Sequence, residues 1–335
     1  MFFRRICLFF VLMALSLSLE LPNLNSETLT CNPDDLRALT SFSNCLESKL
    51  LDGTGTAPTL LVAALGLASP VIIPLVLAEG KRLVGKICGS LADLNQLRVL
   101  NFSHNFLEGS LPDDLFNLQN IEIIDIGNNA FVGSIDIKVC QGVCLSLFQL
   151  KNLSELNLQG NRISGSLSNG IGNLSNLVKL DISSNLFSGV LPDIFMRLER
   201  LEQFSAMSNS FTGHLPTSLV NSPSLQRLYL NRNSLSGPIN LNCSAMKNLV
   251  SLGLGSNLFH GPIPNSLFSC RGLKSLSLSR NKFSGELPNS FKNLKSLTHL
   301  GLSNTSLSNI SSALSILQHC RNLSMLVLAR NFDDE

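Results

Sequence analysis

Asparagine recurs at a fixed interval along most of the chain. Asn161, Asn185, Asn209, Asn233, Asn257 and Asn281 stand 24 residues apart, as do Asn105 and Asn129; Thr305 takes the next slot, and Asn331 follows after 26. Each asparagine through Asn281 closes a copy or close variant of LxxLxLxxN with GxI or GxL behind it, and residues 225–264 hold two copies in succession. Ten units at a period in this range predict a solenoid. No coil of a solenoid buries its apolar residues alone, so stability comes from stacking and the ends need caps.

The spacing also predicts what one coil looks like. In LxxLxL the later leucines alternate with polar residues, as Leu228 and Leu230 do around Tyr229, which is the pattern of a short strand with one buried face. The asparagine follows at the bend, where its amide can bond the backbone of the adjacent coil; a buried group left unpaired there would cost about 1–3 kcal/mol. Behind it, 187–192 (FSGVLP), 211–216 (FTGHLP), 259–264 (FHGPIP) and 283–288 (FSGELP) supply a second apolar contact on the far side.

The 24-residue LxxLxLxxNxLxGxIP unit resembles the plant-type leucine-rich repeat. The entry segment CNPDDLRALTSF (31–42), the run GKRLVGKICGSLADLNQLRVLNFSHNFLEGSLP (80–112) and SLSNISSALSILQHCRNL (306–323) are similar to the ectodomain of phytosulfokine receptors. That resemblance implies an α/β fold: a right-handed leucine-rich-repeat solenoid, horseshoe-shaped, with a concave parallel sheet. It also implies a peptide hormone or protein as ligand and a co-receptor kinase as a further partner. In those receptors an island between later repeats binds a tyrosine-sulfated peptide. The chain stops short of that island, so membrane association and serine/threonine kinase activity are expected only of parts beyond it.

Residues 1–20, with Arg4 and Arg5 ahead of an apolar run, predict a secretory signal peptide, the run being short for a membrane span. Export agrees with seven N-glycosylation acceptor sequences, at Asn101, Asn152, Asn173, Asn242, Asn304, Asn309 and Asn322. Asn101 falls between inward Leu100 and Phe102, so a glycan on it would project from the concave sheet. Cys31 and Cys45 lie in the region of the family's N-terminal cap, and Cys140 and Cys144 lie in an irregular stretch; both pairs are candidate disulfides in an oxidising compartment. Cys270 and Cys320 each stand 11 residues before a ladder position, a slot filled elsewhere by leucine, and are expected to be core thiols.

One stretch breaks the pattern. APTLLVAALGLASPVIIPLVLA (57–78) has about the length of a membrane span, but a span there would strand every repeat and sequon in the cytosol. The family cap carries CCxWxGxxC, which is absent. Reading the third base of each codon with the first two of the next, the junctions from Val62/Ala63 to Pro70/Val71 permit that spacing, so residues 51–79 read as a cap translated out of frame. Residues 31–50 are then a cap remnant and 80–335 the solenoid. A smaller irregularity is the 32-residue interval from Asn129 to Asn161, which fits either a bulged loop within 135–147 or, the preferred account, lost repeats.

No GxSxG, HExxH, Walker or kinase motif occurs, the five histidines are scattered, and neither cysteine pair completes a metal site, so no catalytic residue, cofactor or metal is expected. A net charge of +2 with only 14 % charged residues gives no footprint for nucleic acid. Binding remains, on the exposed strand positions. Arg227, Tyr229, Arg232, Lys274 and Arg280 are expected to stack into one basic strip around the only tyrosine; it reads either as an ordinary solvated sheet face, the preferred account, or as a surface suited to an acidic or sulfated peptide or an acidic protein rim. The function expected is an extracellular ligand- or protein-binding ectodomain fragment, the alternative being a secreted interaction, inhibitor or decoy protein.

Overall fold

A computed structural model describes residues 75–135 and 147–331, together with Arg37 and Ser41. The expected signal peptide, the cap remnant with Cys31 and Cys45, the pair Cys140 and Cys144, and most of 51–79 lie outside the described residues. Two compact units are formed, Met1–Arg162 and Ile163–Glu335.

In each unit the LxL positions make short parallel strands, one per coil. The first unit stacks Leu75–Leu77, Val99–Asn101, Ile123–Asp125 and Glu155–Asn157, with Val76, Leu100, Ile124 and Leu156 in register and buried. The second stacks seven strands from Lys179–Asp181 to Met325–Val327, with Leu180, Phe204, Leu228, Leu252, Leu276, Leu300 and Leu326 in register. Each inward residue before Leu326 is covered by its neighbours, whereas Leu326 on the last strand is exposed, which is why a single coil could not hold this shape alone.

The sequence boundary at residue 79 moves. Leu75–Leu77 already forms a strand of the first unit, and Val76 and Ala78 fill the inward slots of the coil whose ladder position is Lys81. Between Asn129 and Asn161 the strands pair directly, Ile123 with Glu155 and Ile124 with Leu156, so the longer interval interrupts no stacking.

Each ladder asparagine ties two coils together. Asn257 accepts the Leu235 N–H at 3.0 Å and donates to the carbonyls of Leu230 at 2.9 Å and Leu254 at 3.0 Å. Asn105, Asn129, Asn161, Asn209, Asn233 and Asn281 repeat both the acceptance and the donation to the preceding coil. Thr305 is too short to do so. Its hydroxyl reaches Leu302 of its own coil and Asn331 of the next but not the preceding coil, and the outer strand of the coil before it splits into Lys282–Phe283 and Gly285–Glu286.

The far-side segments form a second parallel sheet that the sequence reading did not anticipate. Its strands in the second unit run from Arg162–Ser166 through Leu186–Val190, Ser210–Gly213, Ser234–Gly237 and Leu258–Gly261 to Lys282–Phe283. Only one side chain per strand points inward here, such as Phe187, Phe211 and Phe259, so no two-residue alternation marks them. Phe187 and Phe211 stack with centroids 6.2 Å apart. Short 3-10 turns connect the sheets in most coils, and the second unit adds α-helices at Thr217–Val220 and Ile310–Leu317.

Cys270 is not a thiol. It is bonded to Cys243, with Cα atoms 4.8 Å apart and a sequence separation of 27. Cys243 occupies the slot 14 residues before its ladder asparagine and Cys270 the slot 11 before the next, and stacking sets those two slots against each other. Cys320 is a buried free thiol, as expected. It occupies the second slot, but the first is filled by Phe291, whose carbonyl lies 3.6 Å from the sulfur. Burial pushes the Cys320 thiol above its ordinary pKa of 9.0, against a smaller opposing effect of Lys295. Cys88 is also disulfide-bonded.

A different tie joins the coils around Asp193. Its carboxylate accepts the Ser218 N–H at 2.6 Å, while Ser218 Oγ accepts the Phe195 N–H at 2.9 Å. The hydrogen bond from the Ser218 backbone holds the Asp193 carboxyl below its ordinary 3.8. A lowered folded-state value means that stability is present above pH 3.8 and lost as the pH falls through the folded value. Asp193→Asn should therefore weaken the chain at pH 7 and reduce the steepness of acid unfolding below about pH 4, measured as melting temperature against pH. An unchanged acid limb would show that this tie contributes nothing.

Candidate functional site

The exposed side of the longer sheet in the second unit carries every residue of the basic strip. Arg227 and Tyr229 stand on the strand Arg227–Tyr229, and Arg232 follows at the bend. Lys274 precedes the strand Ser275–Ser277, and Arg280 follows it. Arg232 and Arg280 occupy the same slot, one residue before the ladder asparagine, and both have φ +57. That left-handed slot recurs in His104, Asn128, Ser184, Ser208, Ser256, Asn304 and Arg330, and is imposed by the bend.

The strip is not continuous. Its members fall on two coils, those of Asn233 and Asn281, and the coil between them, Val250 to Ser256, carries no charge. Gly253 and Gly255 keep that middle coil low. A Cβ on Gly253 would run into the Asn231 side chain and come 3.1 Å from the Tyr229 ring. The Asn231 amide, oriented to suit its neighbours, donates to the Gly253 carbonyl at 3.0 Å and accepts the Gly255 N–H at 3.2 Å. Tyr229 is half-buried beside this saddle, while Arg227, Arg232, Lys274 and Arg280 lie toward solvent. Among the described residues none of these four cations has an ion-pair partner; the pair Arg98–Glu122 lies in the first unit.

Local charge is far from the average. Between Gln226 and Arg330 the chain has eleven lysines and arginines against one acid, Glu286, although the whole chain carries only +2. Glu286 is on an outer strand, where it accepts from Asn309 at 3.0 Å. A window count of charge would have exposed this segregation. His299 and Arg330 share the face and were missed because they sit beyond the stretch from Leu225 to Asn281 that drew notice.

The acceptor asparagines occupy several environments. Asn101 lies on the strand face of the first unit, its Oδ1 held by the Ser103 N–H at 2.9 Å and hydroxyl at 2.7 Å. Asn173 accepts from Arg197 at 2.8 Å, Asn242 donates to Asn221 at 2.7 Å, Asn309 caps the helix Ile310–Leu317 and Asn304 is exposed. Asn152 and Asn322 belong to a second ladder, nine residues before the main one. Through Nδ2 they donate to the carbonyls of Gln119 at 2.8 Å and Lys295 at 2.7 Å, as Asn120 and Asn248 do to Asn95 and Pro223.

Family profiles described as leucine-rich repeats match residues 175–235 and 247–307, and 96–118 and 152–174, together half of the chain. The chain belongs to the leucine-rich-repeat family. It is 38 % identical to Phytosulfokine receptor 1 of Arabidopsis thaliana over 143 residues, covering 41 % of this chain and 14 % of that protein. Receptor like protein 26 of Arabidopsis thaliana is 34 % identical over 115 residues, 33 % of this chain and 14 % of that protein. The chain thus spans about one seventh of these curated relatives. Among solved structures it matches a TDR receptor with TM-score 0.72 and 30 % identity, covering 78 % of this chain and 43 % of that one. PEPR1–AtPEP1 matches with TM-score 0.62 and 29 % identity over 75 % and 37 %. This leucine-rich-repeat chain contains, among its described residues, no helix long and apolar enough to cross a membrane.

Proposed function

We propose that the chain is an extracellular peptide-recognition region of the kind found in plant leucine-rich-repeat receptors, and that the strand face of its second unit contacts the ligand. The observation that carries this reading is the set of four solvent-facing, unpaired cations around Tyr229, in a stretch from Gln226 to Arg330 whose one acid, Glu286, lies on an outer strand. Low-salt attraction to such a face speeds encounter and selects anionic partners. Two relatives support the peptide class: one solved structure is PEPR1–AtPEP1, and another is HAESA in complex with the peptide hormone IDA and the co-receptor SERK1, matching with TM-score 0.56 and 27 % identity. A co-receptor kinase is accordingly the expected second partner. The phytosulfokine receptor resemblance makes a sulfated peptide one ligand to try, and the secretory reading of residues 1–20 places the encounter outside the cell.

The test is charge reversal. Arg227→Glu with Arg232→Glu should reduce binding of acidic and sulfated peptides roughly tenfold or more, since like-charge juxtaposition is strongly unfavourable. Both side chains lie toward solvent, so the melting temperature should stay put. Acidic-peptide binding that survives the double variant would remove this face from consideration.

A further inference from the structure

The arrangement of the cations narrows the ligand beyond "acidic peptide", resting on the reading just given. Arg232 and Arg280 line one rim of the saddle in equivalent slots, two coils apart. Near the strand starts Arg227 and Lys274 add positive charge from slots offset by one residue, six and seven before their ladder asparagines. Paired strands lie about 4.8 Å from one another, so the Arg232–Arg280 rim presents positive charge at a spacing of about 9.6 Å.

Few peptide conformations match that repeat. Same-face side chains of an extended strand recur every ~6.8 Å, and one turn of an α-helix advances ~5.4 Å. A polyproline II helix has three residues per turn and rises ~3.1 Å per residue, so every third side chain returns after ~9.3 Å. Its threefold symmetry suits the site in a second respect. One row of side chains can face the uncharged floor while a second faces the Arg232–Arg280 rim and the third lies toward Arg227 and Lys274.

We infer that this face takes an acidic peptide in the polyproline II conformation, lying across the strands, with carboxylates repeating every third residue toward the Arg232–Arg280 rim and proline on the floor. The floor fits that occupant. Tyr229 offers a half-buried ring at one end, and aromatic rings are the usual platform for proline in this conformation. Gly253 beside it has no side chain to obstruct the approach, and Ser277 follows in the same row. A preformed polyproline II ligand also loses little conformational freedom on binding.

The experiment compares two fluorescein-labelled peptides of identical composition by fluorescence anisotropy against the whole chain. One is a threefold repeat of the tripeptide Glu-Glu-Pro; the other is its block isomer, with all the glutamates first and all the prolines last. The periodic peptide is expected to bind at least roughly tenfold more tightly, and Arg232→Ala with Arg280→Ala should remove that advantage without moving the melting temperature. Equal binding of the two peptides, lost together in the double variant, would overturn the three-residue period and leave the acidic-peptide reading intact. If neither peptide binds and sulfated peptides also fail, both readings fall.

Discussion

Asn257→Ala should lower local stability by about 3 kcal/mol, because it strands a buried donor and removes the partner of two buried carbonyls. Asn257 is 6 % exposed, and its side chain receives the Leu235 N–H and donates to Leu230 and Leu254, so no water replaces it. The loss falls on the seam between the coils of Asn233 and Asn257, next to the cationic saddle. Stacked repeats unfold in parts, so amide exchange is the appropriate measurement. Exchange at Leu235 should accelerate by about a hundredfold, the factor corresponding to that energy. Asn240→Ala is the control: Asn240 is exposed, and its replacement should stay within about 0.5 kcal/mol. Protection at Leu235 that survives Asn257→Ala would mean that the ladder amide is dispensable.

Replacing both Cys243 and Cys270 by alanine should cost about 3–4 kcal/mol. The bond closes a loop with a sequence separation of 27, for which constraint of the unfolded chain alone accounts for most of that figure. Both residues are buried, at 4 % and 3 % exposure, so packing adds to the loss when the sulfurs go. The double variant should melt at a lower temperature than the parent under oxidising conditions, and reductant should shift the parent toward it. Mass spectrometry of a non-reduced digest should recover a peptide pair linking Cys243 to Cys270. Failure to find that pair, with equal melting of the two proteins, would return Cys270 to the core-thiol role that its leucine-equivalent slot suggests.

These two predictions show where sequence reasoning succeeds and where it stops. Asn257 was legible because a solenoid places every residue beside its equivalent one period away, so a ladder at 24 residues is also a column in space. The same rule put Leu228 and Leu252 inside and placed Arg227, Tyr229 and Arg232 on one exposed face, all from spacing. The Cys243–Cys270 bond joins two different slots, 27 residues apart rather than 24, and only the stacking of coils shows that those slots touch. The second sheet was hidden for a related reason: one inward side chain per strand leaves no alternation to read, and its existence depends on ladder amides holding the outer strands in register.

The sequence by itself determined the repeat, the inward leucines, the asparagine ladder and the residues exposed on the strand face. The tertiary structure alone decided that the first described strand begins at Leu75, that Cys270 is bridged and Cys320 is not, and that the expected strip is two pairs of cations across a glycine saddle. The physical reason is that periodic spacing fixes which equivalent residues stack, whereas contacts between non-equivalent slots depend on how one coil is laid upon the next.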